Sequence, residues 1–194
     1  QLDLDAGTVY LPVEGMSLDV GAVAKGYACG IVAQELKTAG YSDFVISGGG
    51  NIVSVGAPRD GTRTKWGIAI QNPDANPLFP DENPLDVAYV NDTAIVTSGD
   101  NQRNYVVDGK SYHHLIDPVT LMPATHFRAV TVMTDDSGVA DFLSSTLFLL
   151  PLEQSRKMAE DMGCEALWVL PDGTIAVTDG MQSVLRDRGG AVNR

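Results

Sequence analysis

The sequence has few residues of the kinds that build zinc clusters and disulfide frameworks. Its 194 residues include only two cysteines, Cys29 and Cys164, and three histidines. The two cysteines are far apart and match no metal-ligand spacing, which argues against a cysteine zinc site. We expect both to be buried free thiols.

Positive charge is also scarce. The chain has 13 lysines and arginines against 25 aspartates and glutamates, which gives a formal net charge of −12. Such a field repels nucleic acid and anionic membrane surfaces, so we expect neither as a partner. A phosphate-bearing ligand would then need a local cation, most simply a metal ion.

Long apolar runs are missing as well. No stretch approaches the length of a membrane span, and no signal peptide is recognisable. The chain starts at Gln1 rather than methionine, so this absence does not assign a compartment. With 44% apolar residues, the length predicts one compact unit over residues 1–194.

Residues 16–30, MSLDVGAVAKGYACG, are the first informative stretch. A short alternating apolar segment, predicted as a strand, passes through Gly21 into a helix that carries Lys25 and Gly26 in its first turns. The free N–H groups and the positive dipole end of a helix N-terminus attract phosphate, and a lysine adds a full charge. The alternative is an ordinary connection with a solvated lysine.

The periodicity of the whole chain predicts an α+β fold. Apolar spacing indicates about three helices, at residues 22–39, 137–150 and 152–162. Turn residues predict hairpins around Asn91-Asp92 and around residues 171–173, and the four prolines in residues 72–84 predict an irregular surface loop. Because strands and helices do not alternate regularly, we expect mixed, largely antiparallel sheets. The predicted strands are two within 2–11, then 43–47, 52–55, 65–71, 87–90, 93–97, 105–107, 112–116 and 127–133.

Asp141 and Ser145 lie four residues apart on the predicted helix 137–150. This spacing brings a carboxylate and a hydroxyl to the same side, one turn apart. Both are hard oxygen donors of the kind that Mg²⁺ accepts. The alternative is an aspartate that stabilises the helix dipole and a serine that bonds back to the helix.

His113 and His114 precede the turn Asp117-Pro118. On a strand, adjacent side chains point to opposite faces, so at most one of the two histidines would enter a given site. Either is a candidate base or ligand. The alternative is one histidine packed against the sheet and one in solvent.

Two further segments combine glycine with polar side chains. Residues 97–100, TSGD, followed by Arg103, offer a hydroxyl, backbone N–H groups and a close-approach glycine, which suits a flat heterocycle or a phosphate. Residues 47–51, SGGGN, permit close backbone approach. Each segment is equally compatible with a plain turn.

Taken in order, five motifs resemble the ApbE family of FAD:protein FMN transferases, once called thiamine-biosynthesis lipoproteins. The motifs are LDVGAVAKGYA (18–28), SGGGN (47–51), TSGDNQR (97–103), YHHLIDP (112–118) and ADFLSS (140–145). The resemblance covers nearly the whole chain and corresponds to the later part of a family member. It implies a tunnelling-fold-like core that binds FAD and Mg²⁺.

The resemblance also implies an activity. Family members transfer the FMN half of FAD through its phosphate to a threonine hydroxyl of a target protein and release AMP, and some instead hydrolyse FAD to FMN and AMP. The acceptors are usually subunits of membrane redox pumps, and most members work in the periplasm or at the outer face of the cytoplasmic membrane. A third possibility is a flavin-binding module without catalysis.

Carried over by motif, the resemblance assigns roles to individual residues. Asp141 and Ser145 are side-chain Mg²⁺ ligands, and the Ala22 carbonyl is a further ligand. His114, or else His113, is the candidate base, with Lys25 near the flavin or its diphosphate. The other residues expected at the flavin pocket are Asn51, Ser98, Gly99, Asp100 and Arg103, and Asp117 supports the histidine segment.

The sequence departs from the family pattern in three respects, a missing segment and two positions. No counterpart of the family's usual N-terminal segment precedes Gln1, so we expect residues 1–194 to form a single catalytic unit that lacks this segment. Gly30 stands where an aspartate is common, and Leu121 stands where a glycine is common.

Overall fold

A computed structural model describes residues 1–75, 83–101 and 103–193. In chain order the strands are β1 (Leu2–Asp3), β2 (Thr8–Val9), β3 (Phe44–Ser47), β4 (Asn51–Val55), β5 (Trp66–Ile70), β6 (Asp86–Val90), β7 (Ala94–Gly99), β8 (Asn104–Val107), β9 (Lys110–His113), β10 (Ala129–Thr134), β11 (Glu165–Val169) and β12 (Ile175–Val177). The central feature is a six-stranded sheet in the order β12-β11-β10-β7-β4-β3, in which every neighbouring pair is antiparallel. Three further strand pairs form separate two-stranded sheets.

Five helices occur in the described part of the chain, so the expectation of about three is too low. The three predicted ones are α1 (Ala24–Thr38), α2 (Ser137–Phe148) and α3 (Leu152–Asp161). The additional ones are α4 (Asp179–Val184) and α5 (Arg186–Gly189). With six and four residues, they are too short to produce a recognisable helical period. The predicted α+β class is confirmed.

The hairpin predicted around Asn91-Asp92 is wrong. The turn is present, with Asp92 at a φ of 49°, but β6 pairs with β5, and β7 pairs with β4 and β10. Because β7 has a partner on both edges and is buried along its whole length, no edge remains for β6. The chain therefore leaves one sheet and enters another at this turn.

Other local predictions have mixed outcomes. The hairpins β1–β2 and β11–β12 are confirmed. The strand expected just before Gly21 is absent, since residues 16–20 have no regular structure. Of the loop predicted at 72–84, residues 76–82 lie outside the described residues, as does Gln102 of the motif TSGDNQR. Both cysteines are buried and free, as expected.

Two apolar cores lie on opposite faces of the large sheet. On one face, α1, α2 and α3 cover β-strand residues such as Val53, Val96 and Val130. On the other face, the β5–β6 pair and α4 cover a second set that includes Ile95 and Leu167. Alternation along β7 therefore sends Ile95 and Thr97 to one face, and Val96 and Ser98 to the other.

Within the described residues, no helix is both long and apolar enough to span a bilayer.

Candidate functional site

The site begins where α1 crosses α2 at Gly26. A Cβ atom at this position would lie 2.0 Å from the carbonyl oxygen of Ser137 and 2.6 Å from Cβ of Asp141, so only glycine fits. Two hydrogen bonds use this close approach. The Gly26 N–H donates to Oδ2 of Asp141 at 2.9 Å, and the Ser137 hydroxyl donates to the Gly26 carbonyl at 2.5 Å.

Asp141 and Ala22 offer oxygen atoms at this helix contact. Asp141 is only 4% exposed, and among the described residues its second oxygen, Oδ1, accepts no hydrogen bond. In a regular helix the Gly26 N–H would bond to the Ala22 carbonyl four residues earlier. Because that N–H goes to Asp141, no hydrogen bond of the described residues ends on the Ala22 carbonyl. Both oxygen atoms are thus left for another partner.

Ser145 belongs to a chain of hydroxyl groups that joins β7 to α2. The Ser144 hydroxyl donates to the Asp141 carbonyl at 2.9 Å, and Oγ of Ser98 lies 2.8 Å from Ser144 and 3.3 Å from Ser145. Each hydroxyl has one hydrogen, so Ser98 donates to Ser144 and can accept from Ser145. This direction leaves the lone pairs of Ser145 available to a cation.

The donor set is that of a hard cation. Within the described residues there is no group of three or more His, Cys, Asp or Glu side chains that could hold a metal. A carboxylate, a hydroxyl and a backbone carbonyl are nevertheless the oxygen donors that Mg²⁺ uses when phosphate and water complete its shell. Asp141, Ser145 and Ala22 together therefore fit Mg²⁺ and do not fit zinc.

Asn51 lies at the start of β4 and faces the helices together with Val53. Its side chain is fully buried, and neither its amide nitrogen nor its amide oxygen has a hydrogen-bond partner among the described residues. Leaving a buried polar group unpaired costs about 1–3 kcal/mol. The amide therefore needs a partner such as a polar ligand or a water molecule.

A cavity of about 580 Å³ opens beside the turn of residues 48–50. Two cations line it, Lys25 from the first turn of α1 and Arg103 from the end of the loop after β7. Gly49, Gly50 and Thr97 also contribute to its wall. In a protein of net charge −12, this cavity with two cationic side chains is suited to an anionic ligand.

Ser98, Gly99 and Asp100 were predicted at the flavin pocket, but they do not line this cavity. Alternation along β7 turns Ser98 toward the helices, where it meets Ser144. Asp100 lies 3.5 Å from Nε of Arg128, and partial burial raises the pKa of its carboxyl, an effect that Arg128 opposes. Of the residues predicted at the pocket, Arg103 lines the cavity, while Asn51 and Ser98 face the helices and Asp100 lies beside Arg128.

His113 is part of the core. Its ring is 8% exposed and packs edge-on against Phe148, with 5.6 Å between ring centroids. Nε2 lies 3.0 Å from the Ala124 carbonyl, and Nδ1 accepts from the Leu115 N–H at 3.3 Å. A carbonyl can only accept, so Nε2 carries the hydrogen and both nitrogens are occupied.

His114 points the other way, into solvent. Its backbone N–H donates to the Arg103 carbonyl at 3.2 Å. Partial burial lowers the pKa of its ring below the ordinary 6.5. A hydrogen bond to the Arg103 backbone raises the pKa, whereas the positive charges of the Arg103 and Lys25 side chains lower it further. A lowered pKa keeps the ring neutral and able to take a proton near pH 7. Of the two histidines, His114 has the accessibility that a base requires.

Asp117 organises the turn that follows the histidines. Its carboxylate accepts from the Val119 N–H at 2.8 Å and from the Thr120 hydroxyl at 3.0 Å. These bonds, the Val119 N–H first, lower the pKa of the Asp117 carboxyl. Leu121 ends the turn with a φ of 58°, a conformation that favours glycine. Asp117 therefore supports this segment and does not line the cavity.

Several residues of this site carried no recognisable sequence signal. Ser137 and Ser144 bond to Gly26 and Ser98, yet a serine early in a helix is ordinary. Tyr105 and Tyr112 stack with 5.5 Å between ring centroids, and this pairing depends on the register of β8 with β9. Such contacts are visible only when distant segments are brought together.

Comparison with known proteins supplies an independent finding. The sequence model of the ApbE family matches residues 1–168. The FAD:protein FMN transferase of Treponema pallidum (strain Nichols) is 33% identical over 187 residues, which cover 92% of this chain and 51% of that protein. The chain spans about half the length of the curated relatives it matches.

Solved structures agree with this match. The ApbE protein of Thermotoga maritima superposes with a TM-score of 0.79 at 30% identity, over 90% of this chain and 55% of that one. A histidine-to-glycine variant of the flavin transferase ApbE from Vibrio cholerae gives a TM-score of 0.77 at 27% identity, over 93% of this chain and 56% of that one.

Proposed function

The chain belongs to the ApbE family, and on that premise we propose that it carries the flavin-handling site of a Mg²⁺-dependent FAD:protein FMN transferase. In the proposed reaction, a threonine hydroxyl of a target protein attacks the FMN-side phosphorus of FAD. A new phosphoester bond forms, the bond to the AMP phosphate breaks, and AMP leaves. The hydroxyl proton passes to a base.

The observation that carries this proposal is the helix contact at Gly26. The Gly26 N–H binds one oxygen of Asp141, which orients the carboxylate and frees the Ala22 carbonyl. Ser145 adds a hydroxyl whose hydrogen is directed toward Ser98. Asp141, Ser145 and Ala22 would hold Mg²⁺, which would supply positive charge to the diphosphate of bound FAD.

Lys25 and Arg103 are proposed to bind the anionic part of FAD. Both line the cavity beside the turn of residues 48–50. Phosphoryl transfer depends mainly on neutralising and positioning the phosphates, and two fixed cations serve both needs. Asn51 follows Gly50 of the cavity wall in the chain, and its buried, unpaired amide is proposed as a further partner for a polar group of the ligand.

His114 is proposed as the base. Its exposed ring can approach the hydroxyl of an acceptor, and its lowered pKa favours the neutral form. His113 cannot serve without breaking its bonds to Ala124 and Leu115. Its proposed role is to anchor the strand that presents His114.

The decisive experiment compares Asp141→Asn with Asp135→Asn. Asparagine keeps an oxygen for the Gly26 N–H but removes the charge, so we expect Asp141→Asn to lower Mg²⁺-dependent AMP release from FAD about 100-fold or more. Asp135 is exposed and serves as the control. AMP release is measured by chromatography, and FMN transfer by the mass increase of an acceptor polypeptide.

Two results would contradict the proposal. Full activity of Asp141→Asn would remove this carboxylate from the metal site. If wild-type protein, mixed with FAD, Mg²⁺ and an acceptor, gives neither AMP nor a mass increase, and a longer form carrying the additional segment of the relatives is equally inactive, the transferase proposal fails.

The second candidate is an FAD pyrophosphatase that uses the same site with water as acceptor. The observation that favours it is the exposed ring of His114, which water can reach as easily as a polypeptide. Release of FMN and AMP at the full rate without any acceptor would support this reading. A flavin-binding module without catalysis would bind FAD and release no AMP.

The acceptor and the compartment are proposals that rest on the family. We propose an acceptor protein with a target threonine, of the kind found in subunits of membrane redox pumps. We also propose that the protein works in the periplasm or at the outer face of the cytoplasmic membrane. Recovery of the protein only in the cytoplasmic fraction of its native cells would contradict the second proposal.

A further inference from the structure

A groove of about 650 Å³ lies between the β8–β9 hairpin and residues 116–123. We call it the hairpin groove. The β8–β9 pairing sets Tyr105 opposite Tyr112, and the bond from the His114 N–H to the Arg103 carbonyl extends the ladder by one more pair. Side chains two residues apart share a face of a strand. The Arg103–His114 and Tyr105–Tyr112 pairs therefore form one continuous surface.

The tyrosine pair provides an aromatic floor beside the base. The two rings are nearly parallel, with 12° between their planes, and Tyr105 is 64% exposed. Successive same-face pairs on a strand are about 7 Å apart. An extended polypeptide with a hydroxyl at His114 would therefore bring the side chain two residues away over the tyrosines.

The opposite wall is apolar and held in a fixed shape. Leu121 and Met122 are 75% and 43% exposed. The turn that carries them is closed by the bond from the Asp117 N–H to the Met122 carbonyl at 2.9 Å and by a β-bridge between Ile116 and Pro123. Apolar side chains that are exposed together on a rigid turn mark an interaction surface.

Charge limits what can bind here. Of the described residues that line the hairpin groove, Arg103 alone carries a full charge, and none has a carboxylate. The protein as a whole has a net charge of −12, so the charge of this lining is opposite in sign to that of the molecule. The groove therefore suits a neutral or weakly acidic, largely apolar occupant, and it gives no partner to a basic one.

The hairpin groove and the cationic cavity share one lining residue, Arg103. The charge of Lys25, on the cavity wall, acts on the His114 ring. If the cavity holds the diphosphate of FAD, a molecule in the groove meets the reacting phosphate with His114 between them. The second substrate must approach from such a direction.

We propose that the hairpin groove binds the acceptor polypeptide as an extended segment, with apolar residues beside its threonine packed on Tyr105 and Leu121. This inference rests on the proposed transferase function and adds the recognition of its acceptor. Specificity for the acceptor sequence then comes from the aromatic floor and the apolar wall, while His114 takes the proton of the threonine hydroxyl.

The test uses Tyr105→Ala and Leu121→Asn, with Tyr41→Ala as the matched control. Tyr41 is 62% exposed and lies outside the groove, and asparagine tolerates the positive φ at position 121. The probes are fluorescein-labelled 12-residue peptides with one central threonine, flanked by apolar, Gly/Ser, acidic or basic residues. Binding is followed by anisotropy in the presence of Mg²⁺ and FAD.

We expect the apolar-flanked peptide to bind about tenfold more tightly than the basic one, and each groove variant to lose about tenfold in that affinity. Tyr41→Ala should bind it like the wild type, and all variants should keep the wild-type affinity for FAD, measured by flavin fluorescence. Unchanged peptide binding in both groove variants would overturn the inference, as would no peptide binding by the wild type.

The same variants distinguish two other possible occupants of the hairpin groove, the adenine of FAD and a second copy of the chain. A loss of FAD affinity in Tyr105→Ala would mean that the tyrosines stack on the adenine, and it would overturn the inference. A concentration-dependent dimer that Tyr105→Ala abolishes in sedimentation would assign the groove to a second copy of the chain, with the same consequence. If the peptides bind as expected but neither this chain nor the longer form transfers FMN to them, the transferase proposal fails while the polypeptide site stands.

Discussion

At the residue scale, the site depends on which hydrogen bonds are already taken. Gly26 gives its N–H to Asp141, so the Ala22 carbonyl has no donor among the described residues, and His113 uses both ring nitrogens for the core. Asn51 is the opposite case, since its buried amide has no partner among them. The atoms left without protein partners are the ones through which FAD and Mg²⁺ could bind.

His114 leads to a prediction about pH. Partial burial lowers the pKa of its ring below the ordinary 6.5, and the positive charge of Arg103 lowers it further. We therefore expect activity to fall on the acid side, as the base becomes protonated, with an apparent pKa below that of a free histidine. Arg103→Gln should raise this apparent pKa, because a cation that disfavours protonation is removed.

The measurement is an NMR titration of the histidine rings together with the pH profile of AMP release. The His114 signal is assigned with His114→Gln. Lys37→Gln, which removes a cation from the last turn of α1, is the charge-matched control and should leave the His114 titration unchanged. A His114 ring that titrates at or above 6.5 in the wild type would contradict the prediction.

Leu121 leads to a prediction about stability. It adopts a φ of 58°, and its side chain is 75% exposed. A left-handed conformation costs a non-glycine residue about 1 kcal/mol, so Leu121→Gly should raise the free energy of unfolding by roughly that amount. Leu121→Ala removes the side chain but keeps the strained backbone, and it should give no such gain. Urea unfolding followed by circular dichroism measures both, and equal stabilities of the two variants would count against the strain.

At the scale of elements, the contact of α1 with α2 joins the proposed metal ligands to the cavity. Small residues make this contact possible, since Gly26 and Gly30 both face Ser137. Ser137 donates to α1, and Ser98 joins α2 to β7, so one helix is bonded to both of its neighbours. The position of Asp141 is therefore set by three elements together.

Gly26→Ala tests this contact. The added Cβ would lie 2.0 Å from a backbone carbonyl that cannot move aside alone, so we expect a loss of about 2–4 kcal/mol in the free energy of unfolding. Gly30→Ala is the matched control on the same helix. Its Cβ would lie 3.0 Å from the Ser137 hydroxyl, a contact that a shift of a few tenths of an ångström relieves, and alanine favours the helix, so the stability of this variant should stay within about 1 kcal/mol of the wild type. Chemical denaturation separates the two expectations, and equal losses would show that Gly26 is not the closest contact.

At the scale of the whole molecule, the large sheet separates two cores and two kinds of chemistry. The oxygen donors for a cation lie on the helical face of the sheet. The cationic cavity opens beside the turn of residues 48–50, which joins the end of β3 to the start of β4. An overall charge of −12 would repel FAD, so the local cations Lys25 and Arg103 matter more than they would in a neutral protein. That residues 1–194 form a single catalytic unit that lacks the family's usual N-terminal segment stays a prediction.

Much of the fold and part of the site could be predicted from local pattern. Helical periodicity located α1, α2 and α3, and the i,i+4 spacing brought Asp141 and Ser145 to one side of α2. Ordered motifs identified the family. Each of these signals lies within a short segment, where backbone geometry alone relates the residues to one another.

Sequence by itself thus determined the three longer helices, the α+β class and the family, and it predicted candidate residues for the site. Only the tertiary structure decided that β7 pairs with β4 and β10 rather than β6, and that His113 is buried while His114 is exposed. Alternation along a strand says that neighbours face opposite ways, but long-range packing decides which face is covered. For the same reason Ser98 turned out to face the helices, and the Tyr105–Tyr112 floor beside His114 became visible only in three dimensions.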